Sequence, residues 1–333
     1  MLLNDRGRGA LLGLAVGDAF GTTLEFSSPA PAPFEPPLTG PHVEITGGGP
    51  FLVARGQTTD DTMMAVCLWR SLQSCGRFSA KDVAARYVAW SAVTFDIGAQ
   101  TAASLRRVAK GHSPMVAGRD VWLESNRRPA GNGSLMRTAP IGVFFAHDHV
   151  ARVQATVMDS QITHADPRCV LSCAALNGAI AAAVRGSSST PEHAFAAARA
   201  DVEAASALLP GDPEDSTARE AIEADLRAAQ SGDPALYGEE VHLLRMEGFV
   251  RVAFRLAFFE LGRARSFQMG LVDAVNRGGD ADTNGAITGA LLGAQQGASA
   301  IPASLSEPVL AALMSGPAGP LRDEYHPRFL MEP

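Results

Sequence analysis

The chain has 333 residues and a formal net charge of −7, with 46% hydrophobic and 19% charged residues. That composition excludes a disordered polymer and supplies a sizeable core. The acidic balance argues against nucleic acid or an anionic membrane surface as the main partner.

At the N-terminus, Arg6 and Arg8 precede an apolar run over 10–20, the outline of a secretion signal. Asp18 interrupts the run, and glycine recurs at Gly9, Gly13, Gly17 and Gly21, features an export segment does not need. No uninterrupted apolar stretch reaches the ~20 residues of a membrane span, and a cytoplasmic location is expected. Alanine- and leucine-rich periodicity predicts helices over 7–20, 61–75, 80–92, 98–110, 150–160, 167–185, 191–208, 216–230, 240–262, 267–276 and 284–297. Between the first two, residues 29–50 carry seven prolines and the triplet 47–49 of glycines. This loop is too long for a simple connector and is placed to border a site. Cys67, Cys75, Cys169 and Cys173 form no CxxC pair and read as buried free thiols of a reducing compartment. Residues 169–184 are apolar almost all round, as in a central helix. Gly285, Gly289, Gly293 and Gly297 repeat the four-residue spacing of the first helix. Glycine faces let helix backbones approach closely, so the two ends of the chain should pack together, giving an all-α fold and one domain over 1–333.

Two acidic clusters stand directly before predicted helices: Thr59-Asp60-Asp61-Thr62 and Gly278-Gly279-Asp280-Ala281-Asp282-Thr283-Asn284. Helix capping accounts for one such residue per helix; it does not account for paired aspartates at both. Oxygen ligands without His or Cys select a hard cation such as magnesium, manganese or calcium. An EF-hand fails because its twelfth position is Leu291, where a bidentate Glu is required. If the clusters converge, Asp60, Asp61, Asp280 and Asp282 bring charge for two divalent cations, with Thr59 and Thr283 adding neutral oxygens. In Gly131-Asn132-Gly133-Ser134, flexible glycines and a hydroxyl suit a phosphate, although Asn-Gly is also an ordinary turn. No Gly-Lys-Ser/Thr follows, so it is not a P-loop. His164 precedes Pro167, which suits a helix start; by themselves His164, Glu25 and Asp96 are unremarkable.

Together and in this order, the stretches Gly9–Glu25, Gln57–Thr62, Asp96–Thr101, Gly131–Pro140, Ile162–Pro167 and Asn276–Gly293 resemble the ADP-ribosylglycohydrolase family. That family includes the bacterial dinitrogenase-reductase-activating glycohydrolases. The resemblance implies a compact all-α orthogonal bundle around two divalent cations, Mg2+ or Mn2+, held by Thr59, Asp60, Asp61, Asp280, Asp282 and Thr283. It implies that Glu25 sits on a mobile flap near the metals and Asp96 near the scissile ribose, with Gly98 in the same groove. Asn132, Gly133 and Ser134 match the diphosphate loop, and His164 the ribose- and phosphate-side histidine. The implied reaction releases ADP-ribose from a modified protein side chain, with arginine favoured and Glu25, Asp61 or Asp96 as general base. Hydrolysis of ADP-ribosyl-serine or O-acetyl-ADP-ribose shares the whole site, and a silent ADP-ribose-binding protein is a third reading. The residues do not fix the oligomeric state; a monomer is the simpler expectation. Residues 29–50, 113–129 and 206–240 match nothing in the family and are placed to tune the choice of protein substrate.

Overall fold

A computed structural model describes residues 3–186, 190–316, 319–320 and 323–332. In chain order the helices are α1 (Asp5–Gly21), α2 (Asp60–Cys75), α3 (Ala80–Ser91), α4 (Ala99–Ala109) and α5 (Pro114–Glu124). They continue with α6 (Ala139–Phe144), α7 (His149–Thr163), α8 (Pro167–Arg185), α9 (Pro191–Ser206) and α10 (Pro213–Gln230). Last come α11 (Val250–Arg263), α12 (Phe267–Asn276), α13 (Ala281–Gln296) and α14 (Ala303–Leu310). The only ladder among the described residues pairs Ser315–Gly316 with Gly319–Pro320. The all-α expectation holds.

The glycine stripes decide the centre of this architecture. A Cβ at Gly13 would overlap the Gly289 carbonyl, one at Gly17 the Gly285 carbonyl, and one at Gly9 the Gly293 carbonyl. The order of these pairs makes α1 and α13 antiparallel, with Gly21 against Ala281. The end of α1 therefore lies beside the start of α13, which carries an acidic cluster. α8 is long and apolar enough by length and composition to cross a membrane, but 89% of that stretch is buried inside the fold. It packs on α9, α6, α7 and α10, a core role that its apolar circumference serves.

Differences from the expected helices have local causes. The segment 240–249 is irregular: Leu243 N donates back to Leu236 O at 2.8 Å, Gly248 O accepts from Asn132 N at 3.0 Å, and Val250 N, at the helix start, donates to Ala130 O at 3.0 Å. The helix there begins only at Val250. α5 starts with the cap Ser113 and with Pro114 in its first turn, signals that also fit a turn. α14 contains Pro308, and α6 is six residues long, too short for periodicity to show. Cys67, Cys169 and Cys173 are buried free thiols as expected, whereas Cys75 is exposed at the end of α2.

Apart from Glu260, whose carboxyl is pushed well above its usual range by burial and then by the neighbouring Asp273, the main buried charges of the scaffold are compensated. Arg251 and Arg255 both bind Asp225, Arg152 binds Asp201, Arg137 binds Asp159, and Arg277 binds Asp273. The proline-rich loop is fastened to one of these, since Leu38 N donates to Asp273 and Arg277 reaches the Ala32 and Pro33 carbonyls.

Candidate active site

The two acidic helix starts converge beside the end of α1, and Asp18 is the hinge of that convergence. Asp18 is fully buried and accepts from Thr59 N at 3.0 Å, Thr59 Oγ1 at 3.0 Å, Thr62 N at 3.1 Å and Thr62 Oγ1 at 2.6 Å. It caps α2 from another helix. Thr59 and Asp280 stand at the N-cap positions of α2 and α13, yet neither side chain caps its own helix. Capping alone therefore does not explain these clusters.

Carboxylate oxygens of Asp18, Asp61 and Asp282 lie within 4.8 Å of one another, and so do those of Glu25, Asp280 and Asp282. Asp282 belongs to both triads. Thr59 Oγ1 lies 3.3 Å from both Asp61 Oδ2 and Asp282 Oδ2, and Thr283 Oγ1 lies 3.4 Å from Asp61 Oδ2. Buried Asp61 Oδ1 and Glu25 Oε2 have no hydrogen-bond partner among the described residues. Burial, then the charges of Asp96, Asp280 and Asp18, pushes Glu25 up to about 9. Burial pushes Asp18 up to about 6 against the pull of the Thr59 and Thr62 donors, and Asp96 likewise to about 6. Asp60, Asp61 and Asp282 are held well above the carboxylate range by burial and then by neighbouring carboxylates. These raised values mark acidic groups that no cation among the described residues balances. Orphaned oxygens in an all-oxygen, all-acidic donor set fit hard divalent cations.

A cavity of about 220 Å³ opens over these groups, lined by Glu25, Asp60, Asp280 and Asp282 and by Asp96 beyond the triads. Gly98 at the N-cap of α4, with Gln100 and Thr101, forms a further wall. Gly131, Asn132 and Gly133 face it together with His164. Asn132 Nδ2 donates to Asp280 Oδ2 at 2.8 Å, tying this loop to the carboxylates. Burial, then the charge of Arg137, pulls His164 down to about 3, so the ring is neutral. A larger cavity of about 490 Å³ lies between Phe34, Phe259 and Arg263. It touches neither triad, and we place the site in the smaller one on the chemistry of its lining.

A sequence profile of the ADP-ribosylglycohydrolase family matches residues 1–325. The chain belongs to the ADP-ribosylglycohydrolase family. It is 31% identical over 316 residues to the ADP-ribosylarginine hydrolase Tri1 of Pseudomonas putida, covering 92% of this chain and 74% of that protein. It is 28% identical over 302 residues to the ADP-ribosyl-dinitrogen reductase glycohydrolase of Rhodospirillum rubrum, covering 90% and 88% of the two chains. A solved ADP-ribosylglycohydrolase-related protein complex superimposes with a TM-score of 0.64 at 30% identity, covering 90% of each chain. The protein is thus a glycohydrolase acting on ADP-ribosyl bonds.

Within this glycohydrolase the expected residues gather at one place, with two refinements. Thr59 and Asp61 lie in the carboxylate cluster behind the cavity rather than on its lining. Ser134 is turned away: its fully buried hydroxyl is hydrogen-bonded with Ser160 Oγ at 2.9 Å and with Cys173 Sγ at 3.5 Å. Gly131 and Gly133 do not serve unusual torsions, since neither has a positive φ. They are small because His164 packs against them; a Cβ at Gly133 would lie 2.8 Å from its Cε1. The proline-rich loop 29–50 does not line the cavity. Sequence reasoning missed Asp18, whose signal is a carboxylate inside an apolar helix. It also missed Phe26, which lines the cavity at φ 58° and 55% exposure, its N donating to Gly279 O at 2.7 Å.

Proposed function

We propose that this glycohydrolase removes ADP-ribose from modified arginine side chains, using two divalent cations, magnesium or manganese. The observation that carries this reading is the pair of carboxylate triads sharing Asp282. Asp18, Asp61 and Asp282 would hold one cation and Glu25, Asp280 and Asp282 the other, with Thr59 and Thr283 as neutral oxygens at the cluster and Asp60 beside it. Such a pair, when bound, grips vicinal hydroxyls and acidifies water.

The chain's own residues supply the rest. Asp60 and Asp96 both line the cavity outside the triads. Asp96, the one of the two that lies apart from the acidic helix starts, is the carboxylate we assign to take a proton from the attacking water. The acidic lining stabilises positive charge developing on the ribose. Gly98, Asn132 and Gly133, with His164, form the wall along which the diphosphate and distal ribose lie. Arginine is supported by the 31% identity to an ADP-ribosylarginine hydrolase and by the acidic lining, which complements a guanidinium. The closing of α1 on α13 supports one functional unit over the whole chain.

The test is release of free ADP-ribose from arginine-ADP-ribosylated protein, with manganese, with magnesium and after chelation. Serine-linked substrate and O-acetyl-ADP-ribose are run beside it. Metal-dependent release from the arginine adduct is expected. Release that survives chelation, or that occurs only from the serine or acetyl adducts, would overturn the corresponding half of the proposal.

A further inference from the structure

Arg137 is wholly buried behind the cavity wall, and its guanidinium has a partner in every direction. Nε donates to Asp159 Oδ2 at 3.3 Å and Nη2 to the Asp159 carbonyl at 3.0 Å. The group lies 4.6 Å over the Tyr87 ring, whose hydroxyl donates to Asp159 Oδ1 at 2.9 Å. The remaining nitrogen, Nη1, donates to the Gly133 carbonyl at 3.0 Å and to Thr163 Oγ1 at 2.9 Å. Thr163 Oγ1 in turn lies 2.7 Å from His164 Nδ1.

The direction of this last bond follows from the first. A guanidinium has donors only, so Thr163 Oγ1 must accept from Arg137. Its own proton is left with one acceptor within reach among the described residues, His164 Nδ1. Were Nδ1 protonated, Thr163 would accept twice and its buried hydroxyl proton would be stranded. We infer that Arg137 and Thr163 fix His164 as the Nε2–H tautomer, a hydrogen-bond donor that serves an anionic or hydroxyl oxygen of the ligand in the cavity. The same Nη1 holds the Gly133 carbonyl, so donor and loop wall are set by one cation. The depressed proton affinity of the ring agrees with a single, neutral tautomer. Arg137 and Thr163 are positioning residues; His164 alone faces the ligand.

The choice of ADP-ribose as probe rests on the proposed function; the tautomer does not. The experiment records the ring nitrogen shifts of His164 in 15N-labelled, magnesium-loaded protein, assigned against His164→Gln, and the Kd for ADP-ribose. Wild-type protein is expected to show Nε2–H. Thr163→Val should lose that preference and weaken ADP-ribose roughly tenfold, and Thr163→Ser should restore both. An Nδ1–H wild-type ring overturns the inference without any variant. So does a folded Thr163→Val protein that keeps Nε2–H, or that loses it and binds as before. Wild-type protein showing Nε2–H but no affinity for ADP-ribose would support the tautomer and overturn the proposed substrate instead.

Discussion

Asp225 and Asp61 are both wholly buried helix carboxylates, and the fold treats them in opposite ways. Asp225 receives Arg251 Nε at 2.6 Å, Arg251 Nη2 at 2.8 Å and Arg255 Nε at 2.5 Å. Asp61 receives only the weak approaches of two threonine hydroxyls, keeps one oxygen unpartnered, and faces the carboxylates of Asp18 and Asp282. A buried charge must be paired or must shift its pKa. The first solution builds scaffold. The second leaves a deficit of positive charge that no cation among the described residues makes good, and it gathers several carboxylates where α1, α2 and α13 meet. Glu260, also buried with one oxygen unpartnered, stands instead beside the single Asp273–Arg277 pair. A cluster of uncompensated buried acids is therefore the better marker of this site than acidity itself.

The largest effects should separate the two classes. Asp282→Ala removes the carboxylate common to both triads and should lower ADP-ribose release at least about a thousandfold. The same change relieves repulsion among buried carboxylates, so the chelated variant should melt no lower than chelated wild type in a thermal scan. Asp225→Ala should do the reverse. It strands two buried guanidinium groups and should cost about 3–5 kcal/mol by urea denaturation, while turnover per folded molecule stays near wild type. If Asp282→Ala destabilised the chelated protein as Asp225→Ala does, the distinction would collapse.

The pH dependence sharpens the contrast. Asp18 and Asp96 rise from 3.8 to about 6 and Glu25 from 4.5 to about 9 in the folded chain. The folded state thus holds these protons more tightly than the unfolded state. Their stabilising contribution is complete below the unfolded values and is lost as pH rises through about 6 and then about 9. In chelator, Tm should fall as pH rises across that window, and manganese should flatten the trend by holding the carboxylates ionised. A chelated Tm that climbs over the same range would contradict the shifts. Smallest of all, Ser134→Ala should leave activity within about twofold and cost about 1 kcal/mol or less, since its hydroxyl serves Ser160 and Cys173. A large loss of ADP-ribose affinity would return Ser134 to the binding wall.

Much of this was legible in the chain. Asp60-Asp61 and Asp280-x-Asp282-Thr283 exceed what capping requires, and the matched glycine stripes bring the two ends together. Asp18 reads in the sequence as an interruption because periodicity sees only that a helix turn has a charge, not which helix start it caps. The segment 240–249 has helical composition, but its backbone turns back on Leu236 and its end bridges the Gly131 loop, a partner about a hundred residues away that no local pattern reveals. Gly131 and Gly133 read as flexible turn glycines because sequence cannot show a histidine ring pressed against them. Arg137 stood in the recognised stretch without a role, since its value lies in four directed bonds.

The most direct measurement is the number of manganese ions bound per chain at equilibrium, by titration calorimetry, for wild type, Asp282→Ala and Asp225→Asn. Two ions for wild type and for the folded Asp225→Asn protein, with the pair lost in Asp282→Ala, is the expected result. A wild-type chain that binds no manganese, or an Asp282→Ala chain that still binds two, would contradict the assignment of the uncompensated carboxylates to a metal centre.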